Sequence, residues 1–145
     1  MERIIRKAKK EDLNNLVEME DVCFVKNWSR QTLKSDLRNL LSYYYVVEED
    51  GNIVGYYNYL LIAGEVNFNR ICVLPEYRGQ GIASEMMKHF CAQFKDKKVD
   101  KAILEVEIDN KAAIFLYEKF GFQEIYIRKH YYGKDRHATI MERVR

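Results

Sequence analysis

Several things are scarce in this chain, and each shortage closes off a class of protein. Proline occurs once, at Pro75, and glycine only seven times in 145 residues. No Ser/Pro-rich linker, low-complexity tract or internal repeat is present, so one domain over residues 1–145 is the expected organisation. Cysteine is sparse: Cys23, Cys72 and Cys91 lie far apart and form no CxxC pair. An odd, scattered set excludes a disulfide frame and reads as reduced thiols in the cytoplasm. The three histidines, His89, His130 and His137, have neither metal spacing nor a partner cysteine, so no metal is expected. No apolar run is long enough to cross a bilayer, and the charged opening MERIIRKAKKED does not read as a signal peptide. Charge of either sign is not in excess: the net charge is +2, which gives no argument for a nucleic-acid or membrane partner.

What is present is a core and a clear alternation of elements. Hydrophobic residues make up 48% of the chain. Arg3 to Lys7 reads as a strand. Leu13, Leu16 and Val17 recur at helical spacing, which predicts a helix over about 10–22. Ser29 is a candidate N-cap for a second helix with Leu33, Leu37 and Leu40 on its buried face. Tyr43 to Glu48, Ile53 to Ile62 and Val66 to Val73 read as strands, turned at Asp50-Gly51 and at Gly64. The run Tyr43-Tyr44-Tyr45 reads as strand packing. A helix follows over about 81–95, then a strand over Lys101 to Glu107 and a helix over Lys111 to Phe120. Gly121 sits where a left-handed helix stop belongs. Two strands, Phe122 to Arg128 and Ala138 to Arg143, close the chain around a polar turn. The order predicts a mixed sheet with helices packed on its faces.

Two stretches carry chemistry. Between a strand and a helix stands Pro75-Glu76-Tyr77-Arg78-Gly79-Gln80-Gly81-Ile82-Ala83. Small residues there let backbone amides approach a ligand, and a helix N-terminus aims partial positive charge at the same place, which suits a diphosphate. Gly-rich turns also serve packing alone, and both readings stand at this level. The stretch is neither a Walker A loop nor a GxGxxG fingerprint. The second is Asn110-x-x-Ala113-x-x-x-Tyr117-x-x-x-Gly121-Phe122, in which Asn110, Ala113 and Tyr117 share one helical stripe. Tyr117 reads either as a core aromatic or as part of a ligand slot. In the strand before it, Leu104 and Val106 alternate with Glu105 and Glu107. Glu105 is read as facing a working cleft and Glu107 as a solvent-side residue in local charge pairing. Cys72, without a paired histidine, reads as a small core residue.

Arg78-Gly79-Gln80-Gly81-Ile82-Ala83 fits the R/Q-x-x-G-x-G/A signature of the GNAT acetyltransferases, and Val73-Leu74-Pro75-Glu76-Tyr77 resembles that family's approach to it. The resemblance in element order spans essentially the whole chain. It implies an α/β (α+β) GNAT fold, a mixed central sheet of about seven strands with helices on both faces. It also implies acetyl-CoA as co-substrate, with no metal. The pyrophosphate would lie on Gly79, Gln80, Gly81, Ile82, Ala83 and Ser84 beside Arg78. The pantetheine arm would pair with Ile71, Cys72 and Val73, and Asn110 and Tyr117 would stand on the last cofactor-binding helix.

Trp28-Ser29, Leu104-Glu105-Val106, Asn110 through Phe122, and Arg128-x-x-Tyr131-Tyr132 resemble one branch, the bacterial ribosomal-protein alanine N-acetyltransferases of the RimI type. That resemblance implies Glu105 as the base and Tyr117 as the acid. It implies the N-terminal amine of a ribosomal protein as acceptor, with Trp28, Tyr131 and Tyr132 on the acceptor side. Strand-end packing is the other account of the two tyrosines. Asn27 stands where the branch often has proline, and Arg70 where it often has asparagine. Both departures bear on the acceptor more than on acetyl transfer.

With no covalent nucleophile evident, the amine would attack the thioester directly. Glu105 would take its proton, the Val73 N–H would meet the oxyanion, and Tyr117 would protonate the leaving thiolate. The strands carrying Val73 and Glu105 would have to part to admit the pantetheine arm. Two other functions compete: acetylation of a small amine such as a polyamine or aminoglycoside, and a non-catalytic acyl-CoA-binding module. The presence of both Glu105 and Tyr117 argues against the module. The oligomeric state is not written in the sequence.

Overall fold

Turn chemistry and side-chain alternation fix the order of elements. The computed structural model describes residues 2–145. The chain falls into two compact units, one running to Leu60 and including Arg70–Met86, the other Leu61–Asn69 with Met87–Arg145.

In the first unit, β1 (Arg3–Lys7) pairs antiparallel with β2 (Ser42–Glu49), and β2 pairs antiparallel with β3 (Asn52–Ile62). Asp50 and Gly51 join β2 to β3 with φ of 50° and 86°, the left-handed pair a two-residue hairpin turn demands. Alternation divides the tyrosines between faces. Tyr43 stacks on Tyr59 and Tyr45 on Tyr57, with ring centroids 4.9 and 5.2 Å apart. Tyr44 and Tyr56 instead join Leu16, Met19, Leu33, Val46 and Cys72 in a buried cluster. Leu16 and Met19 come from α1 (Leu13–Cys23), which is preceded by a short 3-10 turn over Lys10–Asp12. Leu33 comes from α2 (Arg30–Asp36), capped by Ser29, whose hydroxyl accepts from the Thr32 N–H at 3.1 Å. Leu40 departs from expectation. The helix stops at Asp36, so Leu40 lies beyond its last turn and is 90% exposed. β4 (Glu65–Val73) contributes residues 70–73 here, and Gly55 of β3 lets it come close: a Cβ at Gly55 would lie 2.8 Å from the Cys72 carbonyl oxygen.

The second unit holds the start of β4, which pairs parallel with β5 (Lys101–Glu107) from Glu65↔Lys101 to Phe68↔Leu104. β5 also pairs antiparallel with β7 (Arg136–Val144), and β6 (Gln123–Gly133) lies outside β7. Strands therefore run β1-β2-β3-β4 in one unit and β4-β5-β7-β6 in the other, seven among the described residues and mixed in direction. Phe68, Phe90, Phe94, Tyr117 and Phe122 form an aromatic chain with neighbouring centroids between 4.8 and 6.3 Å apart. Phe90 rides on α3 (Ile82–Ala92) and Tyr117 on α4 (Lys111–Lys119). Asn110 caps α4, accepting from the Ala113 N–H at 3.2 Å, and Gly121 ends it at φ 91°. The β6–β7 hairpin is longer than the sequence predicts. Its tip is held by side chains: the His130 N–H donates to His137 Nδ1 at 2.9 Å, and the Asp135 N–H to His130 Nδ1 at 3.1 Å.

Candidate active site

The phosphate-loop residues sit between β4 and α3, after a 3-10 turn over Pro75–Tyr77. Gly79 and Gly81 have φ of 79° and 82°, and a Cβ added at either would meet nothing within 4 Å. Their glycines are thus required by backbone conformation, not by packing, and the space before them is open. α3 starts directly after, so its first amides point out of the helix end beside the loop.

A cavity of about 340 Å³ opens here. Ile71, Cys72 and Val73 of β4 line it, as do Arg78, Gly79, Gly81, Ile82, Ala83 and Ser84. Gln80 does not, and its side-chain oxygen instead accepts from Arg3 Nη2 at 3.2 Å. Arg78 is engaged on the wall: its Nε donates to the Val73 carbonyl at 2.9 Å, and its Nη2 lies 3.8 Å from Cys23 Sγ. Cys23, the last residue of α1, also lines the cavity. Hydrogen bonding from Cys72, then the Arg78 guanidinium, brings its thiol pKa down to about 7 against the opposing effect of burial. The Cys72 thiol is pushed up, first by that bond to Cys23 and then by burial.

A buried carboxylate, unnoticed in the sequence, organises the end of α1. Glu20 is 0% exposed. It accepts from the Trp28 N–H at 2.6 Å, from Arg70 Nη2 at 3.2 Å, and from the Tyr56 hydroxyl. Arg70 is sandwiched between rings, 4.0 Å from the Phe24 centroid and 4.2 Å from that of Trp28, and donates to the Lys26 carbonyl at 2.9 Å. Trp28 therefore presents a ring face to Arg70. The signal in the sequence was there: Glu20 falls on the apolar stripe of Leu13, Leu16 and Val17, where a carboxylate needs a partner.

In the second unit the two glutamates of β5 have separate fates. Glu107 makes two bonds to Arg136, at 2.7 and 2.8 Å, as local charge pairing predicted. Arg136 holds its carboxyl below the usual carboxylate range. Glu105 is held loosely, with Arg128 Nη1 at 3.9 Å and the Tyr131 hydroxyl donating to it. The Arg128 guanidinium lies 4.2 Å from the Tyr131 ring centroid, and Tyr131 meets Tyr132 edge-on at 5.0 Å. Glu105, Tyr131 and Tyr132 are thus brought together, and Arg128 joins them. Tyr117 is 7% exposed, packed edge-on against Phe68 and Phe122. Burial first, then Tyr132, raises its hydroxyl pKa above the ordinary phenol range, while burial and then Glu105 push Tyr132 to about 12. Tyr117 therefore keeps its proton at neutral pH.

Elsewhere, ligand atoms of His130, Asp135 and His137 lie within 4.8 Å of one another, a grouping that sequence spacing did not announce. Both Nδ1 atoms already accept backbone N–H groups, which places each neutral ring's proton on Nε2. The arrangement works as a hairpin clamp. Among the described residues no helix is long and apolar enough to cross a membrane.

The first unit carries a glycine-rich strand-to-helix turn open to an anion, and the second carries a carboxylate on β5 and a buried phenol on α4. The family model "Acetyltransferase (GNAT) family" matches residues 13–122, and the chain belongs to that family. It is an N-acetyltransferase, of a family that uses acetyl-CoA as co-substrate. It is similar to a Bacillus subtilis (strain 168) protein provisionally named a [ribosomal protein bS18]-alanine N-acetyltransferase, at 33% identity over 94% of this chain and 92% of that one. The [ribosomal protein bS18]-alanine N-acetyltransferase of Haemophilus influenzae is 34% identical over 85% of this chain and 83% of its own. Among solved structures, the ribosomal-protein-S18-alanine N-acetyltransferase from Escherichia coli superposes with a TM-score of 0.91 at 26% identity, covering 99% of this chain and 94% of that one.

Proposed function

We propose that residues 1–145 form one cytoplasmic acetyltransferase domain that moves the acetyl group of acetyl-CoA to the N-terminal α-amine of a protein, a ribosomal protein by the likeness above. The observation that carries this reading is the near full-length similarity to bS18-alanine N-acetyltransferases. On this reading the Gly79-to-Ser84 loop and Arg78 hold the diphosphate, and residues 71–73 pair with the pantetheine arm. The parallel β4–β5 register runs only to Phe68↔Leu104, which supports the expected parting of these strands. Asn110 sets the start of the helix that carries Tyr117.

The chemistry follows from proton positions. An α-amine has a pKa near about 8, so only about a tenth is nucleophilic at pH 7. Glu105 accepts the ammonium proton, and its loose hold by Arg128 leaves an oxygen for the task. Glu107 is already committed to Arg136 and is the poorer base. The amine adds to the thioester carbonyl, the Val73 N–H meets the oxyanion, and Tyr117 gives its proton to the departing thiolate. Trp28, Tyr131 and Tyr132 stand on the acceptor side. The test is an acceptor screen read by released thiol, with Ala- and Ser-initiated peptides against free polyamines. Turnover confined to polyamines would overturn the protein-acceptor reading.

A further inference from the structure

The cavity beside the loop contains a pair of thiols that acetyl transfer does not use. Cys23 ends α1 and Cys72 lies near the end of β4, 49 positions later in the sequence, yet the two thiols are close enough to act on one another, with Cys23 Sγ 3.7 Å from the carbonyl oxygen of Val73, the residue after Cys72. Both line the same cavity. The two differ in access. Cys23 is half-buried and reachable, whereas Cys72 is 6% exposed. Arg78 Nη2 stands 3.8 Å from Cys23 Sγ, where it stabilises a thiolate and any thiolate leaving from that sulfur. Cys91, by contrast, has burial raising its pKa, and serves as an internal reference.

We propose that Cys23 is a reactive thiol that exchanges with small-molecule disulfides and is resolved by Cys72, closing a reversible disulfide across the cavity wall. The Cys23 thiolate attacks one sulfur of an oxidised small thiol, R–S–S–R. That S–S bond breaks, a Cys23–S–S–R mixed disulfide forms, and one R–S⁻ leaves and is protonated by solvent. The Cys72 sulfur then attacks Cys23 sulfur and expels the second R–S⁻, which takes the proton Cys72 gives up. Two protein thiols are oxidised and one external disulfide is reduced to two thiols. Cys72 is too buried to meet the external disulfide first, which fixes the order. The thiol chemistry stands whatever the cavity holds. The cavity's assignment to acetyl-CoA rests on the function proposed above, and it adds that coenzyme A disulfide should be delivered faster than glutathione disulfide.

The experiment treats the full chain separately with glutathione disulfide and coenzyme A disulfide, quenches with acid, alkylates the remaining thiols and maps them by mass spectrometry. The wild type should lose the alkylation of Cys23 and Cys72 together, without added mass, while Cys91 stays alkylated. Cys72→Ser should accumulate the mixed disulfide on Cys23, and Cys72→Ala repeats this with an apolar side chain in the buried site. Cys23→Ser should leave Cys72 free. Wild-type protein with all three thiols still alkylated overturns the proposal, as does a first adduct on Cys91 or equal oxidation of Cys72 in Cys23→Ser. Faster reaction with coenzyme A disulfide, slowed by excess acetyl-CoA, supports the cradle. Equal rates with both reagents would refute the cradle assignment and leave the thiol pair in place.

Discussion

Replacing Glu105 by glutamine keeps the side chain's shape and removes its capacity to take a proton. The loss should be about 10²-fold in kcat/KM at pH 7, the lower range for one general base. The pH course is more telling than the size. Free α-amine rises from about a hundredth of the total at pH 6 to about a tenth at pH 7 and about nine-tenths at pH 9. An enzyme without its base depends on that fraction, so the variant should recover roughly tenfold on the wild type between pH 7 and pH 9. Glu107→Gln is the matched control. Its carboxylate is spent on two bonds to Arg136, at 2.7 and 2.8 Å, on an exposed stretch. Such a surface pair contributes little, and activity should stay within about twofold. Steady-state rates with one good peptide acceptor, read by thiol release from pH 6 to 9, decide the matter. A crippled Glu107→Gln beside a normal Glu105→Gln refutes the choice of base, and a Glu105→Gln deficit that is flat with pH refutes its role in deprotonation.

Three further outcomes are expected. Gly81→Asp places a negative side chain where φ is 82° and the space ahead is open; acetyl-CoA affinity should fall at least tenfold by calorimetry while the circular dichroism spectrum stays native, since aspartate tolerates the left-handed region at about 1 kcal/mol. Tyr117→Phe preserves the edge-on packing with Phe68 and Phe122, so the melting temperature should hold while kcat falls about 10²-fold with the acetyl-CoA KM little changed; a full-speed variant would reduce Tyr117 to packing. Glu20→Ala leaves Arg70 without its carboxylate in a buried site, and urea denaturation should show a loss of about 3–5 kcal/mol; an unchanged midpoint would show that the ring sandwich alone supports Arg70.

Local signals were legible because they act over a few residues. The bounds of Arg3–Lys7 and Lys101–Glu107 follow from alternation and appear as expected. Ser29, Asn110 and Gly121 terminate helices for reasons contained in one turn of chain. Leu40 failed because apolar spacing continued past the point where the helix stopped. The Glu20–Arg70 pair joins positions 50 apart, and no short-range pattern names the partner of a buried charge. Arg128 was quoted only as part of a motif, and its place beside Glu105 comes from strand pairing. The β6–β7 extension was missed because imidazoles, not backbone propensity, hold its tip.

The carboxylate of Glu20 has two oxygens and three donors, drawn from the Trp28 backbone, Tyr56 and Arg70. These belong to the stretch before α2, to β3 and to β4, and the acceptor itself to α1. One side chain is therefore a shared terminal for four segments of the chain. Changes at 20, 56 and 70 should not add, because Tyr56 and Arg70 both act through the one carboxylate of Glu20. An exchange of Arg70 for a neutral residue removes the one cationic donor of a buried carboxylate, and leaves the Trp28 N–H and the Tyr56 hydroxyl to hold it.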